Sequence, residues 1–522
     1  MTHMVTKARV GSLLLLSLIL QETSCFAFAS EGTSSGETAI IETNSSVAAE
    51  STNNQSKQND NDASENQLIA QNATDGSTRI NGDPNSAPSA VDNLTKQILL
   101  KHIALEKFNL RYRQNAAKQG RWKGWRYAAA SEANAGLGLA GGIVSVYNRG
   151  IHVHRADQVK RQMQKKANII PMIGNIIGCA AASNELLVNE YHEWEAWRKG
   201  FSATQARKFV ASTKADIDRL MQERDALVRL EESAPLLAPE AQLHKLEGRV
   251  LADLLDQSLL EFQRFHLNAR GTMAFQQMQY FFDLAKNATG AIGYDFAWLS
   301  LHRRRRVWNY RAGVMFAISG GLTMGGPIVS RGFAKLVTVY HKHSLKDTVE
   351  NRESQEVAKL EADQKALADF VKAGNVQTAC ATKSLPRIEV YGDHSKYFQD
   401  QYTAAQKQQA KSKLVATQNI GAGMYVGGSK VASGVLFIIP GYLQLYNRNT
   451  ETATRITNSD LLAAGIIGLP ASTFQILDTL RIQVRGEIDR HKSAKQGKLP
   501  GQLIQARLKQ LDDMEAAITA CP

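Results

Sequence analysis

The sequence predicts an all-α protein made of three tandem helical hairpins, in which Gly-rich apolar helices alternate with long charged amphipathic ones. Three observations predict it. A pattern of Asn, Gly-rich apolar stretch, short turn and second Gly-rich apolar stretch opens at Asn134 (NAGLGLAGGIVSVYNR), Asn287 (NATGAIGYDFAWLSLHRR) and Asn419 (NIGAGMYVGGSKVASGVLFI). Such repetition specifies an architecture before any single motif does. Only 11 Pro occur in 522 residues, and long stretches carry no turn signal, as a helical body requires. No alternation of apolar and polar residues marks a strand; the short run Arg387 to Tyr391 (RIEVY) follows Pro386 and reads as a connector.

Residues 1–29 have the form of an export signal: Lys7 and Arg9, an apolar run from Val10 to Leu20, and the small-residue site Ala27-Phe28-Ala29. The run is shorter than the roughly 20 residues that cross a bilayer, so cleavage after Ala29 is expected. Cys25 is not a lipidation site, because Glu22 stands where an aliphatic residue is needed. Residues 30–92 are Ser, Thr, Asn, Gln, Asp and Glu with almost no large apolar side chain. Such a segment buries too little surface to offset its ordering entropy, and a disordered linker is expected.

Three hairpin repeats follow, at 93–240, 241–388 and 389–522. Each Gly-rich hairpin is preceded by an aromatic pair on one helix face: Phe108 with Tyr112, Phe262 with Phe265, and Phe398 with Tyr402. Each is followed by a charged amphipathic stretch of coiled-coil type. In the first repeat this begins QARKF at Gln205, in the third QARLK at Gln505, and in the second ENRESQ at Glu350.

The six apolar stretches are Ala128 to Val146, Asn168 to Val188, Leu284 to Leu301, Ala312 to Ser330, Ile420 to Tyr446 and Leu461 to Leu477. Four of them hold glycines four apart: Gly138 and Gly142, Gly174 and Gly178, Gly321 and Gly325, Gly423 and Gly427. That spacing makes a flat strip for close helix packing in lipid, whereas in water each glycine costs a helix up to about 1 kcal/mol. A membrane setting is therefore favoured. Against it, Ala128 to Val146 contains Glu132 and five large aliphatic side chains, and Leu284 to Leu301 carries Lys286 and Asp295. An ionised residue at mid-helix costs about 2.5 to 3.5 kcal/mol, which five Leu or Ile only just offset. These two stretches need a stronger partner helix, and Asn168 to Val188 and Ile420 to Tyr446 are strong enough to lead.

A cleaved signal leaves the mature N-terminus outside, and an even number of spans returns every charged helix to that side. The hairpin turns hold Arg149, Arg155, Lys160, Arg161, Lys165 and Lys166, then Arg303 to Arg306, then Arg448 and Arg455, as the positive-inside rule asks of cytoplasmic turns. Arg113, Lys118, Arg121, Lys123 and Arg126 crowd the external approach to the first hairpin, interleaved with Trp122, Trp125 and Tyr127. That mixture suits an anionic headgroup layer.

Of four cysteines, Cys25 leaves with the signal; Cys380 and Cys521 are the candidate disulfide, and Cys179 reads as a buried thiol. No phosphate loop, zinc-type cysteine pair or nucleophile elbow appears, and His152 with His154 or His341 with His343 do not share a helix face. No enzyme activity, cofactor or metal is expected. The +13 net charge is spread over all three repeats and mixed with acids, which points to a lipid bilayer with anionic headgroups as partner and not to nucleic acid. Glu132, Asp295, Arg331 and Lys430 are the candidate intramembrane polar residues; such charges either face a protein interior or water path, or mark helix ends. The expected function is a non-enzymatic cell-envelope membrane protein whose external helices form a scaffold, bind a partner or self-associate. The alternatives are a small transporter or channel lined by those charges, and a soluble exported interaction protein.

Overall fold

Between Glu240 and Arg303 the sequence holds no proline, so nothing removes a backbone donor and one helix runs 66 residues, from Ala238 to Arg303. At 1.5 Å per residue it is about 100 Å long. The computed structural model describes residues 87–520 apart from 118–119, 153–154, 156–157, 235–236, 304–306, 346–355, 374–377, 447–449 and 498. Side chains at 87–88, 117, 120–123, 303, 356–358, 378–386, 399, 401–416, 419, 443–446 and 450–453 are also outside the description. The expected signal, most of the linker, and the Cys380 and Cys521 pair therefore lie outside the described residues.

The described residues are helical, without a strand. They form α1 (Ala87–Ala117), α2 (Gly120–Gly150), α3 (Arg161–Arg198), α4 (Ala203–Glu232), α5 (Ala238–Arg303), α6 (Val307–Ser344), α7 (Glu356–Lys372), α8 (Thr378–Tyr446), α9 (Thr450–Lys495) and α10 (Pro500–Ala520). Helix begins at Ala87, inside the span expected to be linker, and Val91 is already fully buried. The expected boundaries at 240 and 388 fall inside α5 and α8. The expected connector Arg387 to Tyr391 is instead helical within α8, because Tyr391 and Arg387 pack inward: the Tyr391 hydroxyl donates to Glu247 Oε1 at 2.8 Å and Arg387 pairs with Asp92 at 2.7 Å.

Local chemistry sets the breaks. Gly200 (φ 78°) separates α3 from α4 and Gly497 (φ 65°) separates α9 from α10, a left-handed conformation that glycine adopts without a Cβ penalty. Ser202 then caps α4, and its capping box is closed by Gln205. Pro171, Pro327 and Pro470 lie inside α3, α6 and α9.

The helices sort into two bundles. In the head, α1, α4, α7 and α10 pack with the N-terminal halves of α5 and α8 around one apolar core that includes Ile98, Leu99, Val210, Ile217, Leu251, Leu360, Tyr391 and Leu511. The first two aromatic pairs meet there: Tyr112 lies 6.0 Å from Phe262 and 5.5 Å from Phe265. In the other bundle α2, α3, α5, α6, α8 and α9 form a closed ring, each packed on the next in that order and α9 packed back on α2. Neighbours run antiparallel. Along the closing pair, Gly465 meets Val146, Gly142 meets Leu469, and the Trp125 indole donates to Glu487 at 2.9 Å.

Among the described residues four helical segments are long and apolar enough to cross a membrane: Arg161–Glu232, Val307–Ser344, Ile420–Tyr442 and Thr454–Ala520. The ring helices without such a segment are α2 and α5, and each stands between two that have one.

Candidate functional site

The interior of the ring is polar in layers. Nearest the head, the Tyr127 hydroxyl of α2 donates to Asp283 of α5, and Asp283 also pairs with Lys286 one turn on, at 2.5 Å. Ser319 of α6 donates to the Lys286 carbonyl at 2.8 Å, and Arg126 of α2 bonds the fully enclosed Glu185 of α3 at 2.7 Å. One to two turns deeper, Asn134 donates to Asn287 at 3.0 Å and Asn175 donates to the Pro171 carbonyl at 2.8 Å. At the turn end, Asn148 holds the Lys160 backbone from both sides and Arg149 donates to Asn458 of α9 at 3.2 Å.

Lys430 of α8 reaches the head-side layer, with Lys286 and Asp283 as its electrostatic neighbours. Helical spacing places it opposite Ile439, nine residues on, whose face of α8 is exposed together with Met424, Tyr425, Val435 and Tyr442. Lys430 therefore points to the centre of the ring. The other expected residues do not join it. Glu132 faces Thr479 across the α2–α9 seam. Asp295, half-buried on α5, lies nine residues or about 13 Å from Lys286 toward the turn, and Arg331 lies eleven residues or about 16 Å beyond Gly320 toward the head.

Backbone approach is closest between α6 and α8. A Cβ on Gly320 would stand 2.6 Å from Val431 N and 2.8 Å from Gly427 O, and one on Gly434 would stand 2.6 Å from Ala317 N and 2.8 Å from Gly313 O. Gly313, Gly320, Gly427, Gly434 and Gly441 thus form a seam with a spacing of seven, with Gly423 set against Pro327 at one end. Gly174 and Gly178 face Asn134 and Asn287, while Gly138 and Gly142 face Ser472 and Leu469 of α9. Gly321 and Gly325 have nothing within 4 Å.

The pairing of Tyr127 and Glu185 with partners on other helices carries no local sequence signal. Asp283 and Lys286 do: they sit three apart on one helix face just before a Gly-rich stretch. In the head, buried charges are paired. Glu106 accepts from Arg507 at 2.7 Å and lies 2.7 Å from His394, and Glu247 joins Arg387 at 3.0 Å to Arg224. No group of three or more potential metal ligands exists among the described residues. No protein-family model, curated protein or solved structure matches the chain.

Proposed function

We propose that the chain is a non-enzymatic, exported cell-envelope protein whose six-helix ring crosses the membrane and whose helical head stands outside it as an interaction scaffold. The observation that carries this reading is the reversed polarity of the ring. The buried face of α3 consists of Gln164, Ala167, Asn168, Pro171, Gly174, Asn175, Gly178, Ala182, Glu185 and Asn189, while Ile173, Ile176, Leu187, Tyr191, Trp194 and Trp197 are exposed, Leu187 at 71 %. On α6, Gly313, Ser319, Gly320 and Ser330 are inside and Ile318, Ile328, Val329, Leu336 and Val339 are outside. The next helix after α3 has a mainly apolar buried face: α4 buries Ala206, Val210, Ile217, Leu220, Leu227 and Val228, with Thr213, Arg224 and Glu231 among them. Water does not tolerate a continuous belt of this kind on a folded surface, whereas lipid does, with Tyr and Trp at its edges.

The same reading takes the body as three copies of one unit. Three helical arms lead toward the turns, 31 residues each for α1 and α2, then 66 and 69 residues for α5 and α8. Each returning arm carries a proline, and the first and third break at a positive-φ glycine shortly before a QAR segment. The basic turns face the cytoplasm under the charge rule, and the head with its anionic-headgroup contacts faces outward. A scaffold is favoured because Tyr127 with Asp283, Arg126 with Glu185 and Asn134 with Asn287 bond one another between helices, the use lipid-embedded proteins make of polar residues as glue. A small transporter is the second reading, favoured by Lys430 at the centre of the ring.

Alkaline carbonate extraction tests the membrane assignment. The protein is expected to stay with the membrane pellet, and release into the supernatant would leave a soluble exported bundle instead. Replacement of Asp295 and Lys430 by Leu separates the two membrane readings: a scaffold tolerates both, and loss of a solute flux with intact insertion would favour transport.

A further inference from the structure

The two QAR segments place Arg207 on α4 and Arg507 on α10, each on the helix that follows a positive-φ glycine. Their surroundings differ in one respect. Arg507 is neutralised by Glu106, which accepts from its Nε at 2.7 Å, and is covered by the Tyr397 ring at 4.5 Å. Arg207 has no carboxylate partner among the described residues. Its guanidinium donates to Ser344 Oγ at 2.6 Å, and its Nε is enclosed without a partner among the described residues.

Two histidines stand beside it. The rings of His266 on α5 and His341 on α6 meet edge to face with centroids 5.3 Å apart, and both count Arg207 and Arg270 among their electrostatic neighbours. Glu193, the acid within reach of this group, is held by Arg270 at 2.7 Å. The Tyr112 hydroxyl lies 3.1 Å from His266 Nδ1. With that hydroxyl donating, His266 carries its proton on Nε2, and Nε2 is fully buried and without a partner among the described residues, as is His341 Nδ1. An enclosed nitrogen without a partner is costly, and Arg207 Nε, His266 Nε2 and His341 Nδ1, from three helices, each lack one among the described residues.

We propose that Arg207, His266 and His341 form a binding site for a phosphate-type anion, which supplies beside Arg207 the negative charge that Glu106 supplies beside Arg507. His266 closes the back of the site, and the half-buried Arg207 and His341 form its mouth. One guanidinium without a carboxylate among the described residues matches one negative charge, that of a phosphodiester or of dihydrogen phosphate, and a planar fork of donors is suited to both. The source is either a free phosphate or a phospholipid headgroup. The second fits the placement of the site, since Glu193, which braces Arg270, precedes the exposed Trp194 on α3. The lipid source rests on the membrane reading above; the anion chemistry does not.

The test uses the full-length protein in neutral detergent, titrated with inorganic phosphate against chloride at equal ionic strength, and in phosphatidylcholine nanodiscs with or without phosphatidylglycerol. The readout is the unfolding temperature. Wild type is expected to be stabilised in at least one arm, the phosphate arm alone indicating a free anion and the phosphatidylglycerol arm alone a lipid headgroup. Arg207→Gln and His341→Gln are each expected to weaken the effect about tenfold, the loss of one charge-assisted hydrogen bond, with Arg207→Lys between them and wild type. Stabilisation in neither arm, or undiminished stabilisation in both Gln variants, would overturn the proposal. Should Arg207→Gln fail to fold, Arg207→Lys and His341→Gln decide by the same criterion.

Discussion

Asn134 Nδ2 donates to Asn287 Oδ1 at 3.0 Å, across Gly178 of the intervening helix. Each of these asparagines opens a Gly-rich segment, so two residues that correspond in sequence meet in space, on α2 and α5. A side-chain bond between helices in lipid is worth about 0.6 to 2 kcal/mol. Asn134→Leu and Asn287→Leu are each expected to lower the stability of the detergent-solubilised protein by about 1 kcal/mol. The double variant should cost less than the sum, because the second change removes a group already unpaired. Strict additivity in a denaturation series would show that the bond contributes nothing.

The α6–α8 seam makes a sharper prediction, since adjacent glycines face different surroundings. Gly320→Ala drives a methyl into the backbone of α8 and is expected to cost about 1–3 kcal/mol. Gly321→Ala meets nothing within 4 Å and is expected to stabilise by up to about 1 kcal/mol through helix propensity. Thermal unfolding of the two variants side by side checks this, and equal effects would contradict the seam.

How much of this was legible in the sequence differs from element to element. Helical class, the six apolar stretches and the weakness of α2 and α5 follow from composition, because glycine, branched aliphatics and isolated charges act locally. The seam was visible as glycines seven apart, Gly313 and Gly320 facing Gly427, Gly434 and Gly441, but a search for glycines four apart selects Gly321 and Gly325 on the open side. Asn419 does not stand level with Asn134 and Asn287. Gly427 meets Gly320, whose neighbour Ser319 bonds the Lys286 carbonyl, so Asn419, eight residues earlier, lies about 12 Å nearer the head than Asn287. Closure of the ring through α9 and α2, and the bond from Tyr127 to Asp283, join residues hundreds of positions or several helices apart, and no local pattern encodes them.

In the head, Arg507 holds α10 against α1 and α8 through Glu106 and His394. Arg507→Met leaves a buried carboxylate short of its strongest partner and is expected to cost about 3–5 kcal/mol, while Arg507→Met with Glu106→Leu is expected to recover most of that loss. Chemical denaturation of the three variants measures it. A double variant as unstable as the single one would mean that packing of the Arg507 stem, not its charge, matters.

Acid should loosen the head. Burial and the neighbouring His394 charge lower His102 from 6.5 to about 3. Burial alone would raise Glu106, but His394 and Arg507 overturn it and hold this carboxyl at about 2 instead of 4.5. Both groups have depressed folded values, so the unfolded chain takes up protons first. The contribution of His102 is complete above pH 6.5 and is lost as pH falls toward 3; that of Glu106 is complete above 4.5 and is lost toward 2. Circular dichroism between pH 7 and 3 should show a falling unfolding temperature that begins near pH 6.5, and His102→Leu should make the fall between pH 6.5 and 4.5 shallower, the remainder coming from His266, which burial also lowers to about 3. An unchanged profile in that variant would exclude His102 as its origin.

The central claim is that the ring spans the membrane with its turns on one side and the head on the other. In the full-length chain without its native cysteines, single changes Gln158→Cys, Arg305→Cys and Asn449→Cys probe the turns, and Ser233→Cys, Lys372→Cys and Gln496→Cys probe the head. Labelling of intact cells with a membrane-impermeant maleimide is predicted to modify the three head positions, and the three turn positions only after the membrane is opened. Labelling of all six positions in intact cells would mean that the Gly-rich helices never enter the bilayer, and would contradict the account.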